Sequence, residues 1–195
     1  MTYGEIKQAV LELINRRSIA GTPVADSYNN QADYVSRIPN LINQAVMKIR
    51  TSVRPMRNVF DVEQSADTWA AVYMPQNCRR IISGSIREVT DTGPCHTNNY
   101  KLVGNREIWL PPGKYLVEYE AFPGQLPANP VDSYYLPEEP DVLQAAIYYA
   151  AAHLIRTDDA FSYQALYNEY QDRFAALAPA PTVEFVPIED AYGFF

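Results

Sequence analysis

Apolar positions change their spacing twice along this chain, and the changes divide it into parts. Ile6, Val10, Leu13 and Ile14 recur at helical spacing. Just before them, Thr2-Tyr3-Gly4-Glu5 reads as a capping box, in which a hydroxyl and a carboxylate satisfy the first free amides of a helix reciprocally. Arg16 and Arg17 suit the negative end of that helix. A loop is expected over Ala20–Gln31, where Gly21, Pro23, Asp26 and paired asparagines gather. The stripe Ile38, Leu41, Ile42, Ala45, Val46 and Ile49 then predicts a second helix from about Asp33 to Ser52. Pro39 lacks an amide, so it either begins the main helix or kinks a longer one.

From residue 58 the helical period is lost. Asn58–Val62, Trp69–Met74, Arg80–Val89, Tyr100–Val103, Glu107–Leu110 and Tyr115–Phe122 are short, β-branched or aromatic, and predict strands. Between them lie turn signals at Asp91-Thr92-Gly93-Pro94, Gly104-Asn105 and Pro111-Pro112-Gly113. Tyr115, Val117 and Tyr119 alternate with Leu116, Glu118 and Glu120, as in a half-exposed antiparallel strand. Val103–Arg106 reads as a tight hairpin. A small antiparallel sheet or sandwich is expected.

Helical spacing returns after the proline-rich passage Pro123–Pro140. A third helix is predicted to start near Pro137–Asp141, follow Val142, Leu143, Ala146, Ile147, Ala150 and Leu154, and stop near Thr157. Its alanines permit close approach of other helices. A fourth is predicted over about Ala160–Leu177, with Tyr163, Leu166, Tyr167, Tyr170, Phe174 and Leu177 on one face. The resulting fold class is α+β. A bundle of two N-terminal and two C-terminal helices (1–57 and 124–177) carries an inserted antiparallel β lobe (58–123), followed by an extended tail (178–195).

That tail breaks helical patterning with Pro179, Pro181 and Pro187, and no Lys or Arg follows Arg173. Yet it contains Val183, Phe185, Val186, Ile188, Tyr192, Phe194 and Phe195, far more apolar surface than a solvated tail carries. The gain from burying these side chains and the cost of ordering the backbone nearly offset one another. The segment is therefore expected to be loose alone and to order on a partner, especially where many copies are presented together. Folding back on its own domain is the alternative.

Composition narrows the function. Hydrophobic residues make up 47% of 195, enough for one core or two small ones. The 15 tyrosines suit half-buried surfaces and subunit contacts, although an ordinary domain also uses them so. A net charge of −7 argues against a dedicated nucleic-acid binder. Charge is segregated: +4 over residues 1–57, −2 over 58–125 and −9 over 126–195, a basic front and an acidic back that complement each other in a head-to-tail ring. Solvated faces of both signs are the plainer reading. No secretory leader or membrane-length apolar run is evident, and two cysteines make no disulfide framework, so a cytosolic chain with reduced thiols is expected.

Chemistry-bearing residues are sparse. Cys78, Cys95, His96 and His153 lack metal-ligand spacing, and Cys95 with His153 has no group to orient it as a nucleophile–base pair. No phosphate-cradling glycine loop occurs. The pairs Glu138/Glu139 and Asp158/Asp159 read as helix-terminal charges rather than facing catalytic carboxylates; Glu189/Asp190 lies in the tail. Arg54, Arg57, Arg79 and Arg80 read as solvated or subunit-facing, and Trp69 and Trp109 as core or sheet-face residues. No enzyme activity, cofactor or metal is implied.

Taken in order, several stretches resemble the head-to-tail connector adaptors of tailed bacteriophages, particularly the tubular or gatekeeper adaptors of short-tailed phages. These are Met1-Thr2-Tyr3-Gly4-Glu5-Ile6 leading to Asn15-Arg16-Arg17, then Arg37-Ile38-Pro39-Asn40-Leu41-Ile42-Asn43-Gln44-Ala45. The β region closes with Tyr115-Leu116-Val117-Glu118-Tyr119-Glu120-Ala121-Phe122-Pro123. Leu136-Pro137-Glu138-Glu139 introduces the Ala/Tyr-rich helix, and Asp158-Asp159 the last one. The resemblance implies a structural virion protein forming a homo-oligomeric ring, usually dodecameric, beneath the portal protein and above the next tail or neck component. It implies assembly in the host cytoplasm and DNA passing through the channel without specific binding. It also makes Val183, Phe185, Val186, Ile188, Tyr192, Phe194 and Phe195 a portal-docking element, with the loop Ala20–Gln31 and the β lobe as candidate contacts with neighbours. Another neck or tail-completion protein, and a virion-associated peptidoglycan glycosidase using Glu138 or Glu139, are the alternatives.

Overall fold

The computed structural model describes residues 1–17, 30–154 and 160–177, the side chains of 15–17, 30–32 and 160–162 excepted. The expected portal-docking tail and most of the Ala20–Gln31 loop lie outside the described residues, as do Asp158 and Asp159.

Four helices form the bundle: α1 (Tyr3–Arg17), α2 (Asn30–Ser52), α3 (Pro140–Leu154) and α4 (Ala160–Ala176). The capping box forms as expected. The Thr2 amide donates to Glu5 Oε2 at 2.8 Å and the Glu5 amide to Thr2 Oγ1 at 3.3 Å. These bonds to Thr2 hold the Glu5 carboxyl below its usual pKa.

The second helix starts earlier than its apolar stripe suggests, at Asn30, and runs through Pro39. A proline cannot donate to the carbonyl four residues back, which is Val35. The Tyr3 hydroxyl donates to that carbonyl instead, at 3.4 Å, so α1 supplies the partner that α2 lacks.

Helix α3 is central, packing against α1, α2 and α4, whereas α1 and α2 barely touch. Ala145, Ala146, Ala150, Ala151 and Ala152 are all buried, and with no bulk beyond Cβ they let three helices close on one axis. Glu139 supplies the carbonyl that accepts the Leu143 amide (3.0 Å), and Pro140 occupies the first helical position, where a missing amide costs nothing. On α4, Leu166, Tyr170 and Leu177 are buried; Tyr163, Tyr167 and Phe174 flank them.

The β lobe holds eight strands: β1 (Met56–Gln64), β2 (Ala70–Tyr73), β3 (Cys78–Ile81), β4 (Arg87–Thr90), β5 (Gly93–His96), β6 (Lys101–Val103), β7 (Glu107–Leu110) and β8 (Gly113–Ala121). One sheet runs β1-β8-β4-β5, with β3 also on β8; the other runs β2-β7-β6, and all described pairings are antiparallel. Strand β8 is the spine. It pairs along its length with β1, from Met56↔Ala121 to Gln64↔Gly113, and its opposite edge is shared by β3 and β4.

Two strand expectations need correction. Arg80–Val89 is not continuous, because Gly84, at φ 84°, turns the chain between β3 and β4, and Ser85 closes that turn by donating to the Ile82 carbonyl. Asp91–Pro94 is not all turn either. Asp91 and Thr92 make the turn, and Gly93-Pro94 opens β5, an outer strand where an absent proline amide is tolerated. The Val103–Arg106 hairpin is present, with Gly104 at φ 69°. Burial along β8 follows the predicted alternation of Tyr115, Val117 and Tyr119, interrupted only by a buried Glu120.

Bundle and lobe have separate cores. Ile6, Ile42, Ile49, Leu143 and Ile147 belong to one, and Ile86, Ile108, Leu110, Tyr115 and Val117 to the other. Among the described residues, no buried residue is shared. Among the described residues, no helix is long and apolar enough to cross a membrane.

Candidate interaction surfaces

The β2-β7-β6 sheet turns one face to the lobe core and the other to solvent. Its register, Ala70↔Leu110, Val72↔Ile108↔Leu102, places those residues inward. Period-two geometry then sends Trp69, Ala71, Tyr73, Val103 and Trp109 outward. Tyr73 is 71% exposed, Trp69 44%, Val103 41% and Trp109 38%. Trp109 Nε1 donates to Glu107 Oε1 at 2.7 Å, which ties the indole to a side chain of its own strand. Lys101 stands opposite Trp109 on β6, and Arg106 sits in the β6–β7 turn donating to the Pro75 carbonyl at 3.1 Å. The two tryptophans are thus sheet-face residues and not core. Alternation along Trp69–Met74 carried that signal, since Val72 and Met74 face the other way.

A second exposed apolar group, which the sequence reading did not single out, lies on the crossing from β8 to α3: Phe122, Val131, Tyr134 and Tyr135. This crossing is fastened to α1. The Tyr3 and Gly4 amides donate to the Tyr134 and Asp132 carbonyls (2.8 and 2.9 Å), Lys7 pairs with Asp132, and Tyr135 bridges to Thr2. The approach at Gly4 is close: a Cβ there would stand 3.2 Å from the Asp132 carbonyl oxygen, so a larger residue needs the crossing to give by a few tenths of an ångström.

The third feature is an open cleft of about 540 Å³ between bundle and lobe, lined by Arg50, Arg54, Arg57, Tyr135, Glu138 and Glu139, among others. Arg50 donates from Nε and Nη2 to Glu138 Oε2 at 2.9 and 2.8 Å, and both side chains are almost fully buried. Glu138 Oε1 has no hydrogen-bond partner. Burial pushes the Glu138 carboxyl above its ordinary pKa, and Arg50 pulls it back only in part. Arg54 reaches Glu139 and Asp141, each at 2.6 Å, and its bond holds the Asp141 carboxyl low against the opposing effect of burial.

In the lobe, Arg79 and Arg80 both bind the buried Glu120 carboxylate (3.0 and 2.6 Å), and Arg87 pairs with Glu118. Arg54 and Arg79 are therefore largely covered internal struts, correcting their reading as solvated or subunit-facing groups, whereas the Arg80 side chain is 59% exposed, in keeping with the solvated reading. Glu138 and Glu139 are ligands for Arg50, on α2, and Arg54, just past its end. They are not a free carboxylate pair.

The remaining chemistry-bearing side chains are scattered. Cys78 is buried in the lobe core, where burial pushes its thiol up. Cys95 is exposed on β5, His96 Nδ1 contacts the Ile86 carbonyl at 3.0 Å, and His153 stacks on Tyr149 in the bundle at 4.0 Å. No group of three or more candidate metal ligands exists among the described residues.

No protein-family model and no curated protein matches the chain. Among solved structures it is similar to a chain in the neck of an empty GTA particle computed with C6 symmetry, at 18% identity and TM-score 0.30, covering 84% of this chain and 90% of that one. A chain from the virion of a native gene transfer agent (GTA) particle gives 16% identity and TM-score 0.28, covering 87% and 91%. Overlaps at this level carry no functional argument.

Proposed function

We propose that this chain is a non-enzymatic structural subunit of a phage-like particle: a ring-forming adaptor in the neck, joining the portal to the next neck or tail component. The observation that carries this reading is the outer face of the β2-β7-β6 sheet. Trp69, Tyr73 and Trp109 are large, stiff and amphipathic, and aromatic anchors of this kind dominate protein–protein interfaces. The arrangement of a helical bundle with an inserted β lobe, in the chain order expected of connector adaptors, supports it further. Neighbouring copies form the ring, with DNA passing through the channel unread. Val183, Phe185, Val186, Ile188, Tyr192, Phe194 and Phe195 anchor the subunit on the portal. Its place is the virion neck, reached by assembly in the host cytoplasm.

The test is capture by purified portal rings, followed by negative-stain imaging. Full-length chain is expected to form a ring on the portal. Deletion of 183–195 is expected to abolish capture with helical content intact, and Trp69→Ser/Trp109→Ser to prevent ring closure. Undiminished capture and closure in both variants overturns the reading.

A further inference from the structure

The connections between bundle and lobe are short and fixed at both ends. On the bundle side, Arg54 is held by its amide donating to the Ile49 carbonyl (3.0 Å) and by Arg50 Nη1 donating to its carbonyl (3.2 Å). Leu126 is clasped on both backbone groups by the Asn43 side chain, at 2.8 and 2.9 Å. On the lobe side, the first and last ladder residues, Met56 and Ala121, are paired with each other. The Phe122 amide also donates to the Asn77 carbonyl of the lobe (2.8 Å), and the Gln125 carbonyl accepts from the Tyr134 hydroxyl (3.3 Å), so Pro55 on one connection and Pro123 and Gly124 on the other are what lie between the anchors.

A Cβ at Gly124 would meet nothing within 4 Å, so the second connection has free space at that position, next to the buried Pro123. The two connections leave the lobe side by side, which defines an axis rather than a rigid base. The cores on either side share no buried residue, and an open cleft separates them. Bodies joined without a large apolar interface move relative to one another. Among the described residues a direct bond spans the gap: Arg79 Nη1, already on Glu120, donates to the Thr51 carbonyl at the C-terminal end of α2, at 3.2 Å.

We propose that Pro55 on one connection and Pro123 and Gly124 on the other form a hinge about which the β lobe swings against the helical bundle, and that the Arg79–Thr51 bond holds the orientation described above. Swinging the lobe re-aims the Trp69/Tyr73/Trp109 face without disturbing either core. This inference does not depend on the particle to which the subunit belongs.

The experiment measures electron–electron distances in the full chain, spin-labelled at native Cys95, exposed on β5, and at an Asn40→Cys thiol on the exposed side of α2; Cys78, fully buried, stays unlabelled. Arg79→Ala is expected to broaden the distance distribution and displace its maximum while circular dichroism stays unchanged. Inserting two glycines after Arg54, which touches neither core, is expected to broaden it further. Should Arg79→Ala disturb the lobe through Glu120, the insertion variant decides. An insertion variant with the wild-type distribution overturns the hinge. A folded Arg79→Ala with that distribution overturns the role of the bond.

Discussion

Replacing Arg50 by methionine removes the cation of a buried pair while keeping most of the volume of its stem. Arg50 and Glu138 side chains are 6% and 1% exposed, and Glu138 Oε1 already has no partner. Without Arg50 the carboxylate loses both short bonds to Oε2 and faces an apolar bundle core with Glu139 as its nearest like charge. Breaking a buried pair from one side costs about 3–5 kcal/mol. For a chain of this size the melting temperature should fall by about 10 °C. The pH dependence follows from the raised carboxyl. A folded-state value above the unfolded one means the group's contribution is fully present below the unfolded pKa and is lost as pH rises through the folded value. Methionine removes the cation that lowers that folded value, so the window of loss moves upward. The deficit relative to wild type should therefore be largest near neutrality and shrink by about 1.4 kcal/mol for each unit by which the folded pKa rises, once the medium is acidic enough to protonate Glu138. Urea unfolding followed by far-ultraviolet circular dichroism, at neutral and mildly acidic pH, measures both. A deficit below about 1 kcal/mol at neutral pH, or one that grows on acidification, refutes the reasoning.

Other perturbations test other parts of the structure. Ala150→Leu at the centre of α3 should destabilise by about 1–3 kcal/mol or more by overpacking the meeting point of the helices, read by thermal unfolding. Tyr3→Phe should cost no more than about 1 kcal/mol, and that cost should disappear in a Pro39→Ala background, where α2 satisfies Val35 itself; a double-mutant cycle in urea measures the coupling. Burial pushes the Tyr170 hydroxyl up to about 12 and leaves it without a partner, so its stabilising contribution holds below the ordinary tyrosine pKa and is lost as pH rises through about 12. Burial raises Tyr3, Tyr115 and Tyr149 as well, so alkaline spectrophotometric titration should show a group of late phenols that Tyr170→Phe reduces by one, with stability at neutral pH unchanged or raised. Trp69→Ser should leave the melting temperature almost unchanged, because the indole packs against solvent.

Local chemistry was legible wherever one short stretch decides the outcome. The capping box, the apolar stripes of α2 and α3 and the alternation of β8 each follow from neighbouring residues, and each forms as expected. The interruption at Gly84 was missed, because Ile81, Ile82, Ile86 and Val89 read as one β-branched run; Ser83-Gly84-Ser85 within it was the turn signal, and the shared edge of β8 shows the two segments docking separately. Proline-led β5 was hidden because Gly-Pro reads as a turn until an outer-strand position is known. Arg54 and Arg79 were misread for a different reason: their partners are distant in sequence, Arg54 and Asp141 being 87 positions apart and Arg79 and Glu120 41. Composition along a chain cannot report a pairing that only folding creates. The aromatic sheet face was half legible, since alternation puts Trp69 and Tyr73 on one side of a strand but says nothing of which side is wet.

The central position of α3 sets an order on the ribosome. Helices α1 and α2 leave the exit tunnel first but scarcely touch each other, and the surface they both need lies more than eighty residues further along the message. The lobe meets no such delay, because β1 and β8 enclose it and its core draws on nothing outside. A nascent chain would therefore complete its insertion while its first two helices still wait, with apolar sides uncovered, for the alanine-rich segment to emerge between them.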